Sequence, residues 1–408
     1  MNKKWKRWIA LGLAVSCLGS AAVLAEGVQT KSYIVHADSY QLPYKGNEKA
    51  FKHHINPGYG SALALKDIKT DGTIEFYAIT DRGPNGDIPT YIKNGKKVSG
   101  KFFPTPDFAP SIGVITVRPG QNRADITESI PLKVQGKAIT GKPVPKGMTG
   151  STKEIALNFK MKDLGTDING LDTEGLAVDK DGNFWISDEY GPFIVKADKN
   201  GNIVEKFAPG AGLPSILASR VPNRCSEGLT IDEQGHIFAL IQSPLNVDGK
   251  TGKTSKYKTS KYTRIVELDP VTKEHGVMQN LIYKVDLNGA TPVANNGRLD
   301  GKLIPARKEL VLDLRANGWN IEKAEGLALL PDRRTIAVVN DNDFGMDIAV
   351  QDPKAPSADV SDYTYDSDKK VMIYNKDKTV HKVKLSLKKN APSEQESQIW
   401  FFTLPKSL

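Results

Sequence analysis

The sequence predicts an all-β protein, a β-propeller of six blades with seven as the alternative, closed as a single ring behind a secretory leader. The first observation is a recurring phrase: Glu174-Gly-Leu-Ala-Val-Asp, Glu227-Gly-Leu-Thr-Ile-Asp and Glu325-Gly-Leu-Ala-Leu-Leu, each followed by a turn and an apolar run. A degenerate copy, Ser61-Ala-Leu-Ala-Leu-Lys, precedes them and runs through Asp71-Gly72 to Phe76-Tyr-Ala-Ile-Thr. The second is spacing. Glu174 and Glu227 lie 53 residues apart and Glu227 and Glu325 lie 98 apart, and the latter is close to two units of about fifty, the scale of a four-stranded blade. The third is turn chemistry: Asp181-Gly182, Gln234-Gly235 and Asp71-Gly72 supply the positive backbone angles that two-residue hairpins need, between short β-branched and aromatic runs. Each copy therefore reads as one hairpin ending in a polar cluster. Dividing the length after the leader by the unit gives six or seven blades, with one diverged blade expected between Glu227 and Glu325. A closed ring also hides its strand edges.

The chain has 408 residues. Its start, Met1-Asn-Lys-Lys-Trp-Lys-Arg7, leads into an apolar stretch from Trp8 to Leu24 and then Val23-Leu-Ala25 before Glu26. This is a secretory signal at residues 1–25, broken by Gly12, Ser16 and Gly19 and followed by no second long apolar run, so cleavage without a membrane anchor is expected. Cys17 in Ala14-Val-Ser-Cys weakly resembles a lipidation box, with Ala14 where leucine is preferred. After cleavage Cys225 is the one remaining cysteine, which excludes an internal disulfide. Net charge falls from +9 to +5 as Lys3, Lys4, Lys6 and Arg7 leave with no acid. Such mild basicity suits anionic partners, and an exported protein of this charge can adhere to cell-wall polyanions without an anchor.

Residues 26–55 read as a lead-in segment and 56–408 as the propeller. Within the lead-in, Ser32-Tyr-Ile-Val-His36 is a candidate strand that closes the ring against Gln398-Ile-Trp-Phe-Phe-Thr403. Residues 246–264 carry Lys250, Lys253, Lys256, Lys258, Lys261 and Arg264 against Asp248 alone, and read as an exposed insertion. A short helix is expected near Ser215 to Arg220.

These phrases, taken together, resemble the exported bacterial proteins of the esterase-like activity of phytase family, also called the phytase-like domain family. The resemblance covers most of the mature chain. It rests on Asp81-Arg82-Gly83, Glu174-Gly-Leu with Trp185-Ile-Ser-Asp-Glu-Tyr-Gly-Pro192, Asn223-Arg224 ahead of Glu227-Gly-Leu, and Ala239-Leu-Ile-Gln-Ser-Pro-Leu245. It continues through Arg264-Ile-Val-Glu-Leu-Asp269 and Glu325-Gly-Leu-Ala-Leu-Leu-Pro-Asp332 to Asn340-Asp-Asn-Asp-Phe-Gly345. Cys225-Ser226 stands where a Gly-Phe pair is expected. The resemblance implies a β-propeller and hydrolysis of phosphate esters or other esters.

Blade-start residues of a propeller lie near the central channel, so Glu174, Glu227 and Glu325 are expected to converge. Three converging carboxylates repel one another without a cation, and oxygen donors suit Ca²⁺ first and Mg²⁺ or Mn²⁺ next. The competing reading is that each Glu bonds the backbone of the neighbouring blade. Asp81-Arg82, Asp188-Glu189-Tyr190 and Asn340-Asp341-Asn342-Asp343 end equivalent strands and should share one rim. For ester hydrolysis there, Asp81 and Asp341 join the three Glu residues as metal ligands. Arg82 and Arg224 then take phosphate oxygens, and Asp188 or Glu189 serves as general base. For each acid singly, a turn cap or surface ion pair is the rival. Asp81 to Asp87 is loosely calcium-loop-like but lacks the full pattern.

Other chemistry is excluded or weak. No Gly-x-Ser-x-Gly elbow is present, and the six histidines are scattered without zinc spacing. Nucleic-acid binding has no motif behind it. Two functions remain: a secreted, Ca²⁺-dependent hydrolase of a small-molecule phosphate ester such as phytate, or of another ester, and a non-catalytic propeller that binds a partner or cell-surface ligand around structural calcium.

Overall fold

The structure, a computed structural model, describes residues 27–46, 48–249, 255–259, 264–268, 273–274, 282–286 and 307–408. The leader at 1–25 lies outside the described residues, as do residues 250–254 and 260–263 of the lysine-rich run. The chain is all-β. Its repeated hairpins each form the first two strands of a four-stranded antiparallel unit. The first unit is Ala62–Ile68, Ile74–Ile79, Ser111–Val117 and Arg123–Pro131. The second is Thr173–Val178, Phe184–Asp188, Phe193–Ala197 and Ile203–Pro209. The third is Ser226–Ile231, Ile237–Ile241, Arg264–Leu268 and Lys273–Glu274.

The fourth unit is built from both ends of the chain. Ala324–Leu329 and Thr335–Asn340 pair in sequence, Gln398–Thr403 adds antiparallel to Thr335–Asn340, and Gln29–His36 pairs outside it, with Gln29 opposite Thr403. This is the closure the Ser32–His36 segment suggests. The same strand pairs parallel with Arg123–Pro131, so the first and fourth units merge into one nearly closed eight-stranded sheet. The diverged blade expected between Glu227 and Glu325 falls largely outside the described residues, which there include the paired strands Ile282–Asp286 and Arg307–Leu312.

Apolar layers separate neighbouring units. Ile79, Ile112, Leu176, Phe184, Ile186 and Phe193 fill the space between the first and second units. Trp185, Ile194, Ile237, Ala239, Val266 and Leu268 fill that between the second and third. Leu63, Phe76, Ile115, Val339, Ile399 and Phe401 join the first to the fourth. Strands with neighbours on every side are buried along their length, as in Ser111–Val117, Phe184–Asp188 and Thr335–Asn340, and each large side chain so enclosed contributes about 1.5–3 kcal/mol.

The turns depart from the two-residue form. Five residues, Asp179 to Asn183, separate Val178 from Phe184, and Asp179 Oδ1 accepts the amides of Asp181 and Asn183 at 2.9 Å each while Gly182 takes φ 79°. Asp198 and Asp232 organise their turns in the same way. The repeated Asp is therefore the turn's hydrogen-bond hub.

Two insertions leave the ring on one side. Residues 80–110 and 341–397 both follow the second strand of their unit and meet in an accessory body, where Thr90–Lys93 pairs parallel with Tyr363–Asp366. Its core joins Tyr91, Phe102, Phe344, Ile348, Tyr363 and Leu385. Division of length by fifty counts these residues although they belong to no four-stranded unit. The expected short helix is a 3-10 turn, Ser215–Ser219. No helix among the described residues is long and apolar enough to cross a membrane.

Candidate functional site

The repeated Glu is placed by a one-residue irregularity. Thr173 pairs with Asp188 and Gly175 with Ser187, leaving Glu174 as the extra residue of a β-bulge. Ser226 and Gly228 flank Glu227 identically, and Ala324 and Gly326 flank Glu325. A bulge turns its extra side chain out of the alternating pattern, so three inner strands aim a carboxylate the same way. The following glycine lets inner strands approach: a Cβ on Gly175 would lie 2.9 Å from the Leu229 amide, and one on Gly326 2.9 Å from the Ala62 carbonyl carbon.

Around these bulges the structure brings together an acid ring. Glu174 feels the charges of Asp81, Glu325, Asp172 and Glu227, Glu189 those of Glu227 and Asp81, and Glu325 those of Asp341, Glu227 and Asp81. Burial, reinforced by this crowding, raises Glu174 and Glu325 well above the usual carboxylate range. Burial and Glu227 raise Glu189 to about 8, and the Glu189 carboxyl hydrogen-bonds Glu227, itself raised by burial. Asp341 is raised by burial to about 6 against the pull of Lys323, whose Nζ lies 2.9 Å from its Oδ2.

Asp172 is the deepest member. It is fully buried, and no aligned hydrogen bond reaches either carboxylate oxygen, although Arg82 Nη1 stands 2.8 Å from Oδ2 as an ion contact. Burial drives it well above the normal range, with Arg82 opposing. One ligand atom each from Asp81, Asp172 and Glu174 lies within 4.8 Å of the others. Arg82 alone cannot balance three carboxylates, and buried acceptors lacking aligned donors are expensive, so this all-oxygen cluster fits a hard divalent ion.

The remaining candidates fall at different depths. Arg82 is buried beneath the ring, 3.8 Å from Asp81 and 3.9 Å from Glu154, with its guanidinium 5.4 Å above the Tyr190 ring and Nη1 donating to Asn223 at 3.5 Å. Asp188 is also buried. Its Oδ1 accepts the Asp172 amide at 2.6 Å and its Oδ2 the Gly191 amide at 2.8 Å, so both oxygens fix backbone, and burial sets it at about 6. Arg224 is exposed. The loosely calcium-like loop dissolves into ordinary contacts, Asn85 donating to Asp81 at 3.2 Å and Asp87 pairing with Lys101 at 2.8 Å.

Sequence reasoning missed Asp172, Lys323 and Cys225 as a set. Each stands two residues before a repeated Glu, and each borders the site as an acid, a cation and a buried thiol respectively. That shared offset was the available signal.

The family profile described as phytase-like, esterase-like activity of phytase, matches residues 60–281 and 276–344. The chain belongs to that family. An uncharacterized secreted protein of Arthroderma benhamiae, a fungus, is 26% identical to this phytase-like chain over 264 residues, 52% of this chain and 48% of the relative. The chain thus spans about half the length of the curated relative it matches. Among solved structures, a catalytically inactive virginiamycin B lyase from Staphylococcus aureus is 8% identical at a TM-score of 0.30, covering 92% of this chain and 99% of its own. A protein from Lactobacillus plantarum is 9% identical at 0.29, covering 91% and 99%. A gluconolactonase from Xanthomonas campestris is 9% identical at 0.23, covering 90% and 97%. The strand pairing described above, not these weak likenesses, carries the fold.

Proposed function

We propose that this phytase-like protein is an exported, cation-dependent hydrolase of phosphate esters, phytate or a related organic phosphate among them, with Ca²⁺ the first choice of ion at the centre of the ring of four-stranded units. The observation that carries this reading is Asp172, fully buried with both carboxylate oxygens free of aligned hydrogen bonds, beside Asp81 and Glu174. These three would hold the cation, with Glu227, Glu325 and Asp341 completing the negative wall. When bound, the ion would neutralise part of that wall and polarise an ester oxygen.

The chain's own residues supply the rest. Burial and Glu227 hold the Glu189 carboxyl up at about 8, and the two carboxyls are hydrogen-bonded, so this pair is the acid–base couple for the leaving oxygen and the attacking water. Asp188 acts one step back, holding the amides of Asp172 and Gly191. Arg224, exposed and adjacent to Cys225, is the arginine placed to meet an incoming anion, while Arg82 steadies Asp172 from below. The signal-like leader supports export, and mild basicity supports association with wall polyanions.

A second reading, a non-catalytic propeller with structural calcium, is favoured by the burial of Arg82, which keeps that guanidinium from contacting a soluble phosphate. Phosphate release from phosphomonoesters, phosphodiesters and phytate, with carboxyl esters alongside and calcium supplied or chelated, separates the two. The hydrolase predicts calcium-dependent turnover that Glu189→Gln lowers by roughly 10²-fold or more, with a smaller loss in Asp188→Asn. Calcium-raised melting without turnover on any substrate would establish the binding protein.

A further inference from the structure

A cavity of opposite charge to the acid ring lies at the seam between the lead-in segment and the accessory body. It measures about 240 Å³ and is lined by Phe51, Lys52, His54, Phe344 and Lys389, with Glu396 as its one acid. Among the described residues, no hydrogen bond or ion pair engages the side chains of Lys52, His54 or Lys389, whereas the adjacent Lys388 is paired with Asp347 at 2.8 Å. Unpaired ammonium groups around a concavity concentrate anions.

The walls are fixed rather than collapsible. Phe51 and Phe344 are 6% and 2% exposed and belong to the accessory core. The turn carrying Phe344 is tied by Gly345 N to Asn342 O at 2.8 Å and Asn390 N to Gly345 O at 3.1 Å, while Asn342 Nδ2 donates to Gln395 O at 3.1 Å. A Cβ on Gly345, at φ 65°, would come 2.4 Å from the Gln395 carbonyl oxygen, so backbone fills that wall. On the opposite side, Lys52 and His53 hold consecutive left-handed backbone angles, φ 44° and 68°, a conformation that costs about 1–3 kcal/mol per residue and persists where the surroundings enforce it.

We propose that this cavity binds a small anion, its carboxylate or phosphate group between the exposed side chains of Lys52 and Lys389. Phe51 and Phe344 are sealed into the core beneath the cavity, so the ligand is held through its anionic group. This site is separate in charge and residues from the acid ring and takes its ligand without a metal.

The test is calorimetric titration of inorganic phosphate and of citrate into the full chain after passage over a chelating resin, so that no ion at the acid ring bridges the anion. Saturable binding is expected for at least one probe, phosphate alone marking a phosphate ligand and citrate alone a carboxylate ligand. The double variant Lys52→Gln/Lys389→Gln should weaken it roughly tenfold or more with melting unchanged, as loss of charged hydrogen bonds requires. Glu396→Gln should tighten it by roughly two- to fivefold, an effect of opposite sign that a structural role would not produce. Absence of saturable binding by both probes, or equal binding by the double variant, overturns the proposal.

Discussion

His381 in the accessory body and Asp172 in the ring are both buried among carboxylates, yet their surroundings answer them differently. His381 Nδ1 meets Asp352 in a short contact and its Nε2 lies 3.0 Å from Asp377, while Tyr363 donates to Asp352 at 2.7 Å and the Lys354 amide does so at 2.9 Å. Despite burial, the hydrogen bonds from His381 and Tyr363 hold Asp352 down to about 2, and those to Asp352 and Asp377 raise His381. Every charge there has its counterpart inside the protein. In the ring the acids outnumber Arg82 and Lys323, and burial pushes their protons on. A satisfied network of this kind rigidifies a fold, whereas an unsatisfied one is a receptor for whatever completes it.

The largest expected effect breaks the satisfied side. His381→Ala leaves Asp352 without its main partner in a closed core, and should lower the melting temperature more than any single substitution in the ring. The sign with pH follows from the shifts. Asp352's share of stability is present above its ordinary value near 4 and is lost as pH falls towards about 2. His381's share is complete below its ordinary value of 6.5 and is lost as pH rises through its raised value. The gap in melting between wild type and variant should therefore narrow as pH falls towards about 2 and again as it rises past the raised His381 value, without closing, because the lost ring leaves a cavity at every pH.

The next effect completes the unsatisfied side. Calcium at a hundred times its dissociation constant should stabilise the wild type by about 2.7 kcal/mol, and Asp172→Asn should erase most of that gain. An undiminished calcium shift in this variant would move the cation site away from Asp172. The smallest effect tests the frame beneath the ring. Gly326→Ala should cost about 1–3 kcal/mol through its contact with Ala62. Gly228→Ala, whose Cβ would meet nothing within 4 Å, should stay within about 0.5 kcal/mol. Equal denaturant midpoints for the two would show that inner-strand approach does not limit packing.

What the sequence made legible follows the range of the forces involved. The hairpins could be read because alternation, β-branching and turn residues are local, and the Glu residues because they recur at one position in three phrases. A bulge cannot be read this way, since a single extra residue leaves no compositional trace. Asp172 escaped because its counterparts, Cys225 and Lys323, differ in charge and kind, so repetition concealed the position it usually reveals. The accessory body escaped because strands such as Gly86–Asp87 and Val380–His381 are too short for periodicity, and because Thr90–Lys93 finds its partner, Tyr363–Asp366, in a distant insertion. The burial of Arg82 and Asp188 is likewise a property of depth, and depth is set by how units stack.

Strand Gln29–His36 lies between Gln398–Thr403 and Arg123–Pro131. Its position means that the first and fourth units cannot be joined until the last strand is available. Until then two sheet edges stand uncovered, each a template for pairing with another chain. A lesion at this seam would therefore show first as lost folding yield and as aggregates during synthesis and refolding, before any change in the melting point of molecules that had already closed.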